Sequence, residues 1–112
     1  MIFAFANDQT LAVLDDINET RRECEGVDVE DNVYKFFDEN GFKLEPIFTK
    51  ANKTGKIIGN MGWVESGIFN LEKTNSKPLN IFDLLEDTLG LEPNEYFKNL
   101  NEVKAFFTNI HS

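Results

Sequence analysis

Two short apolar runs open the chain, Ile2–Ala6 and Thr10–Leu14, separated by the turn-forming triplet Asn7-Asp8-Gln9. That spacing predicts two strands folded back on one another. Asp15 or Asp16 then caps a helix reaching about Cys24, with Glu19 three residues after Asp16 as in a capping box. Ile17, Thr20 and Cys24 share one side of it, and Gly26 is its expected stop. A second hairpin follows. Val33–Phe37 and Phe42–Phe48 flank Asp38-Glu39-Asn40-Gly41, where Asn40 and Gly41 tolerate the positive φ of a tight reversal. Tyr34, Phe36, Phe37 and Phe42 place aromatics on both faces, so this hairpin is either covered on both sides or presents rings to a partner. Pro46 lacks a ladder donor and points to a sheet edge or a bulge.

Residues 49–56 (TKANKTGK) read as a basic polar loop, Ile57–Gly59 as a strand fragment, and Gly62–Leu71 as a longer alternating strand that carries Trp63. Asn80 opens a helix to Leu89. Its apolar positions Ile81, Phe82, Leu84, Leu85, Thr88 and Leu89 recur at helical spacing, and Gly90 stands where a helix commonly ends. Leu91–Leu100 is a connector, after which Asn101 caps a last helix with Val103, Phe106, Phe107 and Ile110 on one stripe. The order β-β-α-β-β-β-α-α implies an α+β fold: a single domain over residues 1–112, with a mainly antiparallel sheet of about five strands and about three helices packed on it.

Composition fits one core. With 112 residues, 41% hydrophobic and eleven of them Phe, the chain buries very roughly two-thirds of its unfolded surface. Charge adds a direction. The formal net charge is −9, and residues 1–48 hold 12 acids against 4 bases whereas residues 49–77 hold 2 acids against 5 bases. An acidic face of this kind repels phosphate backbones and anionic membranes and attracts basic proteins. Solubility alone also accounts for such a balance. The lone Cys24 forms neither an internal disulfide nor a thiolate zinc site, and its neighbours Glu23 and Glu25 raise rather than lower a thiol pKa, so it reads as a packed side chain. The opening MIFAFA has no basic leader region, and no apolar run nears the roughly 20 residues of a membrane span; a cytoplasmic location is expected.

No catalytic pattern stands out. Asp28, Glu30 and Asp31 lack the Gly and the bidentate Glu of a calcium loop, Thr54-Gly55-Lys56 lacks the rest of a phosphate-binding loop, and Ser66 has no nucleophile elbow. His111, the single histidine, is next to last. The expectation is a protein that is not an enzyme, with no catalytic residue, metal or cofactor.

The run Cys24-Glu25-Gly26-Val27-Asp28-Val29-Glu30-Asp31, then Phe36-Phe37-Asp38 with Gly41, Leu44-Glu45-Pro46 and Phe48, then Gly62-Trp63-Val64 with Ser66-Gly67, resembles a family of small bacterial proteins: the immunity proteins of contact-dependent growth inhibition, in particular those that neutralise RNase A-like toxin domains. The likeness extends from the opening strand through the Leu91-Glu92-Pro93-Asn94 connector to the last helix. One departure is Ala51, where the family pattern has Pro before Asn52.

The resemblance implies a heterodimer with a cognate basic toxin nuclease, with no direct contact to nucleic acid or membrane. A ribonuclease cleft must be positive to hold RNA phosphates, so an acidic protein laid over it competes with substrate by charge and by bulk. Glu25, Asp28, Glu30, Asp31, Asp38 and Glu39 are the candidate toxin-binding carboxylates, and Trp63 is either a core ring or an interfacial anchor. Each of these acids has the simpler alternative role of a solvated charge. Two other classes stand beside this reading: an acidic adaptor bound to a basic partner that is not a toxin, and a small hydrolase working through carboxylates alone.

Overall fold

The computed structural model describes residues 1–56, 62–74 and 80–110. Along the chain run β1 (Ile2–Ala6), β2 (Thr10–Leu14), α1 (Ile17–Glu23), α2 (Gly26–Glu30), β3 (Tyr34–Asp38), β4 (Lys43–Lys50), β5 (Lys53–Lys56), β6 (Gly62–Glu65), β7 (Ile68–Lys73), α3 (Asn80–Asp87), β8 (Gly90–Leu91) and α4 (Leu100–Ile110). Six strands form one sheet in the order β7-β4-β3-β1-β2-β8, and β5 and β6 pair as a separate ribbon. Every pair is antiparallel except β2 with β8, which is parallel. The fold is α+β.

The alternation along β1 and β2 decides how the layers form. Phe3, Phe5, Leu11 and Val13 point to one face, where with Phe37 they pack against Ile81 and Leu85 of α3 and Val103 and Phe107 of α4. Phe3 meets Phe107 edge-on at 4.7 Å and Phe5 meets Phe37 likewise at 5.6 Å, arrangements that suit the ring quadrupoles. The opposite face forms a second cluster of Ala4, Leu14, Phe36, Leu44 and Phe69 beneath Cys24 and Val29 of the α1–α2 segment. Thus Phe36 and Phe37 of β3 are buried on opposite faces of the sheet, while Tyr34, Phe42 and Phe48 are half-buried.

Several elements depart from the sequence expectation. The acidic run after Gly26 is a helix, α2, and Gly26 begins it rather than merely ending α1. Residues 49–56 are largely strand, not loop, because β4 continues to Lys50 and β5 follows. The expected strand Gly62–Leu71 is broken at Ser66-Gly67 into β6 and β7, and the proposed fragment at 57–59 lies outside the described residues, as does His111. Helix α3 stops at Asp87; Leu89 is 76% exposed and Gly90 enters β8, so the helix ends two residues sooner than its periodicity implied. The stop is tertiary: Gln9 Nε2 donates to the Asp87 carbonyl at 3.0 Å, and the Leu89 N–H donates to the Gln9 carbonyl at 2.8 Å. The last helix is capped by Asn99, not Asn101, with Asn99 Oδ1 accepting from the Glu102 N–H at 3.0 Å. In the β3–β4 turn only Gly41 takes a positive φ, 84°.

Pro46 lies neither on an edge strand nor at the irregularity of β4, which falls between Phe48 and Lys50. Strand β4 is interior, between β3 and β7. Opposite Pro46 stands Leu71, and the neighbouring Phe69 carbonyl turns away from β4 to accept from Arg21 Nε at 2.8 Å. By alternation the missing donor of Pro46 therefore faces β3, whose ladder with β4 extends only over Phe36–Leu44 and Phe37–Lys43. No ladder bond is lost there.

Candidate functional site

The candidate carboxylates fall into two groups. Glu25 immediately precedes α2, Asp28 and Glu30 lie within it and Asp31 closes it, and Glu25 and Asp28 are neighbours at i, i+3 spacing. Glu25, Glu30 and Asp31 are exposed and Asp28 is half-buried. Glu30 Oε2 accepts from Asn52 Nδ2 at 2.7 Å. Asp38 and Glu39 stand at the far end of β3, roughly 13 Å along the strand from Tyr34, so the structure does not bring them beside the α2 group. Asp38 Oδ1 is engaged locally, accepting from the Asn40 N–H at 2.9 Å and the Phe42 N–H at 3.0 Å, which brackets the turn. Trp63 sits on β6 opposite Gly55.

A feature missed from the sequence adjoins the α2 group. On the face of the sheet opposite α3 and α4, the layer made by α1 and α2 leaves part of the β1–β2 hairpin uncovered. The result is a groove of about 410 Å³. Ala4, Ala6 and Ala12 form its floor, with Thr10 and Leu14 alongside and Tyr34 and Cys24 on one wall. Four carboxylates from separate parts of the chain stand around it: Asp8 from the β1–β2 turn, Glu19 and Glu23 from α1, and Glu92 from the residue after β8. Its signal in the sequence was size alternation: alanines occupy alternate positions to Phe3, Phe5, Leu11 and Val13 on the same two strands.

The electrostatics of the groove are one-sided. Among the described residues the ion pairs are Lys43–Glu45 at 3.1 Å and Lys50–Glu65 at 3.4 Å, so no carboxylate of the groove or of α2 has a basic partner. Of the two arginines of α1, Arg21 is turned away, its guanidinium bonded to the Phe69 carbonyl and the Asn70 side chain of β7, and exposed Arg22, next to Glu23, makes none of the ion pairs among the described residues. Glu19 and Glu23 form a like-charge pair at i, i+4 with no ion-pair partner among the described residues, an arrangement that weakens a helix by about 0.2–0.5 kcal/mol.

The wall groups are held neutral. Burial pushes the Cys24 thiol from 9.0 up to about 11, against the opposing effect of its hydrogen bond to Tyr34, and Glu23 and Asp28 add to the rise. Burial likewise raises the Tyr34 hydroxyl to about 12, with the Cys24 thiol, Asp28 and Asp8 contributing. Asp8 and Asp28 therefore act on the same hydroxyl, which links the groove to α2. A buried, protonated thiol is a poor nucleophile, in keeping with the packing role expected of Cys24. Among the described residues no group of three His, Cys, Asp or Glu is placed to hold a metal ion, and no helix is long and apolar enough to cross a membrane.

No protein-family model, curated protein or solved structure matches the chain.

Proposed function

We propose that this protein is an immunity protein that binds a basic bacterial toxin nuclease, a ribonuclease domain of the contact-dependent growth inhibition type, and blocks it by covering its positive cleft. The observation that carries the reading is negative charge around the β1–β2 hairpin that has no ion-pair partner among the described residues: Asp8, Glu19, Glu23 and Glu92 border an open groove, and Asp28 of α2 adjoins it through Tyr34. Carboxylates held by folded elements are pre-ordered to meet lysine, arginine or histidine side chains that otherwise hold RNA phosphates. Long-range attraction between the two fields raises association toward about 10⁸ M⁻¹s⁻¹ at low salt. Glu25, Glu30 and Asp31 extend the same field over α2. The protein acts by occupancy, inside the cytoplasm where such a toxin would arrive.

The test is whether the adjacent reading frame encodes a protein ending in a basic domain that cleaves RNA, and whether this protein stops that cleavage; absence of such a domain counts against the proposal. An equimolar amount of this protein abolishes cleavage if the proposal holds. Undiminished cleavage at saturating protein, or substrate turnover by this protein itself, overturns it.

A further inference from the structure

Part of one sheet face in this protein, along the β1–β2 hairpin, lacks a covering layer, and its chemistry is unlike a face made for water. An antiparallel sheet exposed on one side ordinarily carries polar side chains there. Here the partly exposed positions are the small apolar residues Ala6 and Ala12, beside the buried Ala4 and recessed below carboxylates that stand on surrounding elements. At about 410 Å³ the recess is within the ~300–1,000 Å³ spanned by ligand-binding sites. Two features choose the occupant. An apolar floor suits methylene groups, and a rim of carboxylates with no ion-pair partner among the described residues suits a cation at the end of them. A lysine or arginine side chain is that combination, and an anionic or wholly apolar ligand is not.

We infer that the groove between α1 and the β1–β2 hairpin is a docking site for a lysine- or arginine-bearing extended segment of the partner, whose aliphatic stem lies on Ala6 and Ala12 while its charged head reaches Asp8, Glu19, Glu23 and Glu92. The inference rests on the proposed basic partner and specifies how part of it is held. Insertion of a side chain gives the acidic surface a shape requirement that a diffuse field lacks, and a mismatched basic protein would be attracted without being seated. The Tyr34 hydroxyl, half-buried in the wall, supplies a neutral hydrogen-bonding group beside the cation.

The test uses the full chain and the blocked peptide acetyl-Gly-Arg-Gly-Arg-Gly-amide, followed by amide chemical shifts at low ionic strength. Saturable shifts confined to Ala4, Ala12, Tyr34 and their neighbours are expected. The double change Glu23→Gln with Glu92→Gln weakens binding at least about tenfold, whereas Asp83→Asn with Glu86→Gln, an equal loss of charge on the exposed side of α3, changes it less than about twofold. Ala12→Leu keeps every carboxylate and fills the recess, and it too weakens binding at least about fivefold. Shifts spread over all acidic segments, or equal weakening by the groove and α3 variants, overturn the inference; that comparison also stands if Ala12→Leu fails to fold. Nuclease inhibition is measured on the same proteins. Full inhibition by a chain whose groove takes no peptide sinks the groove and leaves the function, and peptide binding without inhibition does the reverse.

Discussion

Asn52 holds Gly26. Its Nδ2 donates to the Gly26 carbonyl at 2.9 Å, and its Oδ1 accepts from the Gly67 N–H at 2.7 Å, so one side chain ties the start of α2 to the β4–β5 link and the β6–β7 turn. The contact is close enough to exclude side chains at both glycines. A Cβ on Gly26 would stand 2.4 Å from Asn52 Oδ1, and one on Gly67 would stand 2.0 Å from the Lys50 carbonyl oxygen. Residues that seem unrelated in sequence, Gly26, Asn52 and Ser66-Gly67, are therefore one junction, and it fixes the helix that carries Asp28 and Glu30.

Replacing Asn52 by Ala strips partners from a buried glycine's carbonyl and from the Gly67 N–H. A loss of about 2 kcal/mol is expected, read as a lower urea midpoint at unchanged slope. An unchanged midpoint would remove the junction from the account.

The glycines separate by their surroundings. Gly67→Ala meets backbone atoms at 2.0 and 2.7 Å and is expected to destabilise by more than about 2 kcal/mol. Gly90→Ala meets only the Thr10 methyl at 3.6 Å and should stay within about 0.5 kcal/mol of the parent. Thermal unfolding of the two variants in parallel checks the contrast.

In the core between sheet and helices, Phe107 is fully buried against Phe3, and Phe107→Ala should lose about 3–5 kcal/mol. Leu89, which the helical periodicity also assigned to the core, is 76% exposed, so Leu89→Ala should change stability by under about 0.5 kcal/mol. Equal losses would contradict the early end of α3.

Alkaline pH should weaken the fold through the groove wall. Cys24 rises from 9.0 to about 11 on folding because burial disfavours the thiolate, so its contribution is complete below pH 9 and is lost as pH climbs through 9 to 11. The loss from this group is about 2 kcal/mol. Tyr34, raised from 10.0 to about 12, carries the same sign at higher pH. Urea unfolding at pH 8 and pH 10.5 measures the fall, and Cys24→Ala should shrink it.

The parts of this fold legible in the sequence are those held by local chemistry. The β1–β2 hairpin follows from apolar runs about a turn triplet, α1 from Asp16, whose Oδ1 accepts from the Glu19 N–H at 2.9 Å, and α4 from its narrow apolar stripe. The parts that were not legible depend on distant partners. Two-residue β8 exists because β2 offers it a parallel edge, α3 ends where Gln9 meets it, and α2 is a five-residue helix whose acidic run also reads as a turn. The acidic clustering was legible only in part. Asp28, Glu30 and Asp31 do gather on α2, but Asp38 and Glu39 stand at the other end of β3, and the groove arises from four separate segments whose meeting no local pattern encodes.

The most direct measurement is the dissociation constant between this protein and the purified basic domain of the adjacent reading frame, at 50 mM and 500 mM salt, for the parent chain and for Asp28→Lys with Glu30→Lys and Asp31→Lys. The account predicts tight parent binding that weakens at least about tenfold with salt, and a reversed-charge variant that binds at least about tenfold more weakly at low salt. Affinity indifferent both to salt and to the reversal would contradict it.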